Sequence, residues 1–160
     1  MKKTSLALTL VLALFLSGCS FLFKEAEPKT FTKAGMSITL TSDFTEGKQV
    51  PFTSYYMSED ALVFTLKEEF TLLEGFSDYT LNEYCQLVIE NGQKAATIQT
   101  EDGLTYFVFD NSANGNDYSY FCTVYKATDA FWLVQFACLK EDYDKFADKF
   151  KEWAKTVSFS

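Results

Sequence analysis

An α+β fold, with a mainly antiparallel β-sheet flanked by helices, is what this sequence predicts, on three observations. Extended apolar runs separated by turn dipeptides fill the middle of the chain, a helix-capping pattern opens at Thr80, and a strongly amphipathic pattern begins at Tyr143. The chain of 160 residues is 48% hydrophobic with only 7 Gly and 2 Pro, which excludes disordered and collagen-like classes and suits one core.

The elements follow in order. Met36, Ile38 and Leu40 alternate with Ser37, Thr39 and Thr41, the period of two of a half-buried strand. Residues 50–57 and 61–70 are β-rich runs around the polar Ser58-Glu59-Asp60, which makes them a hairpin. Thr80-Leu81-Asn82-Glu83 is a capping box, because the threonine oxygen can accept the Glu83 amide hydrogen while the glutamate reaches back. The helix it opens carries Leu81, Tyr84, Cys85, Val88 and Ile89 on one face, with Asn91-Gly92 as a left-handed stop. Runs over 94–100 and 104–110 meet at Asp102-Gly103, Asn114-Gly115 reverses the chain again, and 118–126 and 130–139 meet around Ala127-Thr128-Asp129. Over 130–139 only Gln135 is polar, so both faces of that strand should be covered and it should be central. Tyr143, Phe146, Ala147, Phe150, Trp153 and Ala154 then form one helical stripe opposite Lys145, Asp148, Lys149, Lys151, Glu152 and Lys155. The mixed charges favour docking on the sheet over lying on a membrane, and 156–159 can add a last short strand.

The N-terminus reads differently. Lys2 and Lys3 precede an apolar run over 6–16 that ends in Leu16-Ser17-Gly18-Cys19. As a helix that run is about 16 Å long, short of a hydrocarbon core of about 30 Å. The segment resembles a bacterial lipoprotein signal peptide with its lipobox. The resemblance implies cleavage between Gly18 and Cys19, a diacylglyceryl thioether on Cys19, and an N-terminus open to further acylation, with palmitate as the fatty acid. Residues 1–18 are then the signal peptide, 19–30 a lipidated tether and 31–160 the domain. The protein is expected on the extracytoplasmic face of the cell membrane, held by lipid on Cys19. Pro28 and the charges argue against packed structure in the tether, while Phe21, Leu22 and Phe23 can either enter the bilayer interface or touch the domain.

Without residues 1–18 the chain has 12 lysines against 22 acidic residues, a net charge of −10. That charge opposes nucleic acid and anionic headgroups and favours solubility or a basic partner, without identifying one. Histidine and arginine are absent, which removes the commonest general base, the commonest zinc ligand and the bidentate phosphate clamp. A cysteine nucleophile lacks its base, and no Ser-x-x-Lys occurs. Adjacent acids on a strand point to opposite faces, so Glu68-Glu69 cannot form one site, and with Glu141-Asp142 it reads as solvated surface. The segment from Asp110 through Ser112 and Asn114 to Gly115 copies the start of an EF-hand loop, but Phe121 stands where a bidentate glutamate is needed, so it reads as a hairpin. Cys85 is expected as a buried free thiol. With the turn centred near Thr128, Cys122 faces Val134 and Cys138 faces Tyr118, leaving the sulfurs about 13 Å apart and no disulfide.

Beyond the signal peptide, 27 of 142 residues are Phe, Tyr or Trp. The hydroxyls of Tyr55, Tyr56, Tyr106, Tyr118, Tyr120 and Tyr125 need water or partners, so some of these rings should emerge at a rim. The element order, with the apolar placement at Phe31, 36–40, 80–84, 102–107 and 131–136 and the amphipathic end, resembles the PsbP-like superfamily, which includes DcrB-like envelope lipoproteins. That resemblance spans about 31–160 and implies a sandwich of antiparallel sheet and helices, with members that act by binding macromolecules. It carries no catalytic motif. The expected function is a non-catalytic protein-binding module of the cell envelope, with no catalytic, cofactor or metal residues and no nucleic-acid partner. The alternative is small-molecule or glycan binding in an aromatic cleft, and a carboxylate-based hydrolase is a distant third.

Overall fold

The computed structural model describes residues 26–72 and 74–160. The readings made for the signal peptide, Cys19 and the Phe21-Leu22-Phe23 segment lie outside these residues.

Among the described residues, ten strands form two antiparallel sheets. The small sheet has the order β1-β2-β10, with β1 at Pro28–Lys33, β2 at Met36–Thr41 and β10 at Ser158–Phe159. The large sheet runs β3-β4-β5-β9-β8-β7-β6. Its members are β3 (Thr45–Gly47), β4 (Ser54–Met57), β5 (Ala61–Glu69), β6 (Gln99–Glu101), β7 (Leu104–Ala113), β8 (Asn116–Lys126) and β9 (Ala130–Leu139). Helix α1 (Leu81–Asn91) lies on one face of the large sheet, while the small sheet and α2 (Tyr143–Lys155) cover the other. This is the expected α+β sandwich.

The apolar run of β9 explains the layering. It sits fourth of seven strands, and its even-numbered residues from Ala130 to Cys138 enter the core shared with β2 and with Phe150 and Ala154 of α2. Phe131 and Leu133 face the other way, into a second core with Tyr84, Cys85 and Ile89 of α1. A strand covered on both sides must be apolar at both parities, as this one is.

Several expectations need correction. The tether assigned to 19–30 loses its last three residues to β1, where Pro28 occupies the first position of an edge strand, a place that tolerates a missing amide hydrogen. Only Phe31 of β1 is buried, so the strand has little hydrophobic period to read. β3 is three residues long, two of them exposed, and had no pattern of its own. The extended run over 94–100 shrinks to Gln99–Glu101. At the end of α1 the left-handed residue is Gln93, at φ 51°, and not Gly92, at φ −79°. The Lys94 amide bonds to the Ile89 carbonyl and the Gln93 amide to that of Glu90, a Schellman closure one residue later than the glycine suggests.

The β8-β9 register also differs. Ala127 N–H donates to Ala130 O at 2.9 Å, so the turn has two central residues, Thr128 and Asp129, and Cys122 pairs with Gln135 while Cys138 pairs with Ser119. One residue of slip reverses relative facing in a period-two structure. The two cysteines consequently lie on opposite faces of the sheet, Cys138 toward α2 and Cys122 toward α1. All three described cysteines are free and buried.

Three hairpins turn on paired left-handed residues, Asp102-Gly103, Asn114-Gly115 and Ala34-Gly35. Asp and Asn tolerate that first position, whereas Ala34 holds φ 51° with a Cβ and no local hydrogen bond in return. Ala34→Asn is expected to raise the unfolding free energy by about 0.5–1 kcal/mol, read from the urea midpoint at constant m-value.

Candidate functional site

The two cores do not use the whole α1-facing side of the large sheet. Helix α1 covers Phe107, Cys122, Val124, Phe131 and Leu133, the half toward the start of β9. The other half is built by register. Met57, Leu62, Ala137, Tyr120 and Phe109 stand opposite one another across β4, β5, β9, β8 and β7, with Ala137 fully buried and Tyr120 and Phe109 packed against the border of the α1 core. Beside them, Tyr55 pairs with Phe64, and Phe64 with Gln135. Phe52, Tyr55, Leu62, Phe64 and Tyr118 are half-buried and Met57 is exposed, and none of the six packs against either core.

The rings order one another. Phe52 and Phe64 have centroids 4.8 Å apart, and Tyr55 stacks on Phe64 at 5.0 Å. Phe109 stacks on Tyr120 at 4.8 Å with planes 5° apart, and Lys94 Nζ caps the Phe109 ring at 4.4 Å. Gly47 keeps the outer edge low, since a Cβ there would meet Tyr55 Cδ1 at 2.9 Å. Side chains set next to one another on neighbouring strands make a face rather than a cleft. At its β4-β5 end a hollow of about 240 Å³ is lined by Leu62, Tyr118 and Ala137 together with Glu59, Asp60 and Asp142. Asp142 pairs with Lys145, whereas Glu59 and Asp60 are exposed and form no ion pair among the described residues.

The tyrosines singled out by sequence divide. Tyr55 and Tyr118 lie on this face outside both cores, Tyr120 packs at its border against the α1 core, and the other three are structural. Tyr125 OH donates to Ala154 O at 2.7 Å, and Tyr106 OH lies 3.1 Å from both Gln99 Oε1 and Glu101 Oε2. Tyr56 is 1% exposed, and its hydroxyl has no hydrogen-bond partner among the described residues. Removing an unpartnered buried hydroxyl costs nothing and relieves its desolvation, so Tyr56→Phe is expected to be neutral or stabilising by about 1 kcal/mol in thermal denaturation.

The acidic pairs are separated. Glu68 accepts from the buried Tyr84 hydroxyl on the α1 side, and Glu69 sits 3.7 Å from Lys67. In the EF-like segment, Asp110 is bound by Lys140 at 2.7 Å and by Ser119 Oγ at 2.6 Å, and Asn114-Gly115 is the hairpin tip. Among the described residues no group of three or more acidic or cysteine side chains could hold a metal ion. An open cleft of about 530 Å³ lies at the sheet end between Ala34-Gly35 and Trp132. Its lysines are committed, Lys67 to Asp129 at 2.7 Å and Lys126 to the Ser77 and Tyr79 carbonyls at 2.6 and 2.9 Å.

Ionisation follows the same division. Hydrogen bonds from Lys151, Lys155, Lys140 and Lys67 hold Glu101, Asp102, Asp110 and Asp129 below the usual carboxylate range, and the Thr80 amide does so for Glu83. Burial pushes the Cys85 and Cys138 thiols up to about 11 and the Tyr143 phenol up to about 12, and it raises the Cys122 thiol as well. Depressed carboxylates contribute stability that is present above their unfolded pKa of about 4 and is lost as pH falls through the folded value. Raised thiols and phenols act oppositely: their contribution is full below unfolded values of about 8.5–10 and fades as pH rises toward the folded ones. The urea midpoint is expected to be level from about pH 5 to 8 and to fall on both sides.

The sequence matches no family profile and no curated protein. Solved structures do match. The cyanobacterial PsbP protein CyanoP of Synechocystis sp. PCC 6803 is 11% identical with a TM-score of 0.53, over 91% of this chain and 99% of that one. A protein of Bacteroides thetaiotaomicron VPI-5482 is 14% identical with a TM-score of 0.55, over 85% of this chain and 49% of that one. At these identities the likeness is one of fold, and the fold is PsbP-like.

Proposed function

We propose that the chain is a membrane-anchored extracytoplasmic lipoprotein, held by lipid on Cys19, whose single domain is a non-catalytic protein-binding module. The observation that carries the binding reading is the half-buried aromatic part of the large sheet that, among the described residues, joins neither core: Phe52, Tyr55, Leu62, Phe64 and Tyr118. Apolar side chains set contiguously on a rigid sheet and left unpacked are what a macromolecular contact buries. An aromatic cleft for a sugar or small ligand is less well supported, because the rings lie side by side instead of enclosing a volume. No helix among the described residues is long and apolar enough to cross a membrane, so attachment in this reading falls to the lipobox cysteine.

Two measurements test it. In native cells the chain should take up an alkyne-labelled fatty acid and fractionate with membrane, and Cys19→Ala should abolish both; unlabelled protein that stays in the membrane would remove the anchor. A photo-crosslinking residue at position 64 should yield a discrete protein adduct that the same residue at Lys149, on the exposed side of α2, does not. Equal adducts at both positions, or none at position 64, would end the binding reading.

A further inference from the structure

We infer that the partner meets this face with an apolar segment that is basic at one end, and that the basic end lies over the β4-β5 turn. The inference rests on the binding reading above and specifies its chemistry. The row from Met57 to Phe109 crosses five strands, about 19 Å at about 4.8 Å per strand, and runs from the residues outside both cores to Tyr120 and Phe109 at the border of the α1 core. Its two ends carry opposite charge. At the first, Glu59 and Asp60 project beside Met57 and Leu62 with no ion-pair partner among the described residues, and the hollow there joins them to the apolar floor of Leu62, Tyr118 and Ala137. At the other end Lys94 sits over the Phe109 ring.

Apolar contact supplies most of the affinity on such a surface, and charge at its margins sets orientation and excludes mismatched partners. A segment with lysine or arginine at the Glu59-Asp60 end matches both ends, and the reversed segment would set like charges against each other. The match also disfavours a second copy of this chain, because each copy without residues 1–18 has 12 lysines against 22 acidic residues, a net charge of −10, and would bring its own acidic turn to the contact. The acidic pair gives charge complementarity to the apolar face and is not itself a site.

The test uses the photo-crosslinker at position 64 in native cells, with the adducted segment sequenced by mass spectrometry. The ten residues on either side of the crosslink should carry at least two more Lys or Arg than Asp or Glu. In the Glu59→Lys/Asp60→Lys background the adduct yield should fall at least fivefold, and in Glu59→Gln/Asp60→Asn by an intermediate amount, with thermal unfolding unchanged in both. An adducted segment that is neutral or acidic overturns the inference, as do yields insensitive to both variants. Crosslinks to a second copy, to residues 20–25 of the same chain, or to lipid overturn it as well. Absence of any adduct at position 64 instead removes the binding reading, so the two failures are distinguishable.

Discussion

Phe136→Ala is expected to destabilise the fold by about 3–5 kcal/mol, a large part of the roughly 5–15 kcal/mol that holds a domain of this size. Phe136 is fully buried on the central strand, and its ring lies 6.0 Å from Phe121, 5.4 Å from Phe150 and 6.2 Å from Trp153. It therefore joins β9, β8 and α2 at one point. Neighbours held by sheet hydrogen bonds cannot collapse into the vacated volume, so lost dispersion adds to lost burial. Urea denaturation should show the lower midpoint with an unchanged m-value. A loss under about 1.5 kcal/mol would mean that α2 is not docked as described.

The second large effect is a contrast between adjacent positions on β5. Val63 is fully buried toward α2 and the small sheet, whereas Phe64 is half-buried on the open face. Val63→Lys places an ammonium among apolar side chains with no carboxylate partner in that core, and is expected to cost more than 4 kcal/mol and leave no cooperative thermal transition. Phe64→Lys is expected to cost only about 1 kcal/mol, the ring contacts with Phe52 and Tyr55, because the ammonium stays in water. The same variant should reduce partner capture while the circular dichroism spectrum is retained. Equal stability losses at 63 and 64 would mean that the open half of the sheet is covered, and the binding reading would fall with it.

Much of the fold is legible in the residues because local chemistry decides it. The Thr80 capping box forms as read, with Glu83 N–H donating to Thr80 Oγ1 at 3.2 Å and Thr80 N–H to Glu83 Oε2 at 2.8 Å. The near-unbroken apolar run of β9 marks a strand covered on both faces, and the stripe from Tyr143 to Ala154 marks the face that α2 buries. β1 and β3 were not legible, since an edge strand with one buried residue or none has no periodic signal. The Ala34-Gly35 turn was hidden by a residue type that rarely leads such a turn.

The aromatic face lies between these cases. Its tyrosines were visible as rings whose hydroxyls need water or a partner, but nothing local separates Tyr55 and Tyr118 from Tyr56 and Tyr125. Tyr55 and Tyr56 are neighbours on one strand and point to opposite faces, and only the second is in a core. The sequence by itself determined the α+β class, the start of α1 at its capping box, the centrality of β9, the acidic net charge and the missing histidine and arginine, because each depends on residue identity or short-range spacing. Tertiary structure decided the β8-β9 register, the opposite facing of Cys122 and Cys138, and which half of the sheet α1 leaves open. Those depend on where one long-range pairing locks, and in a structure of period two a single residue of slip exchanges inside for outside.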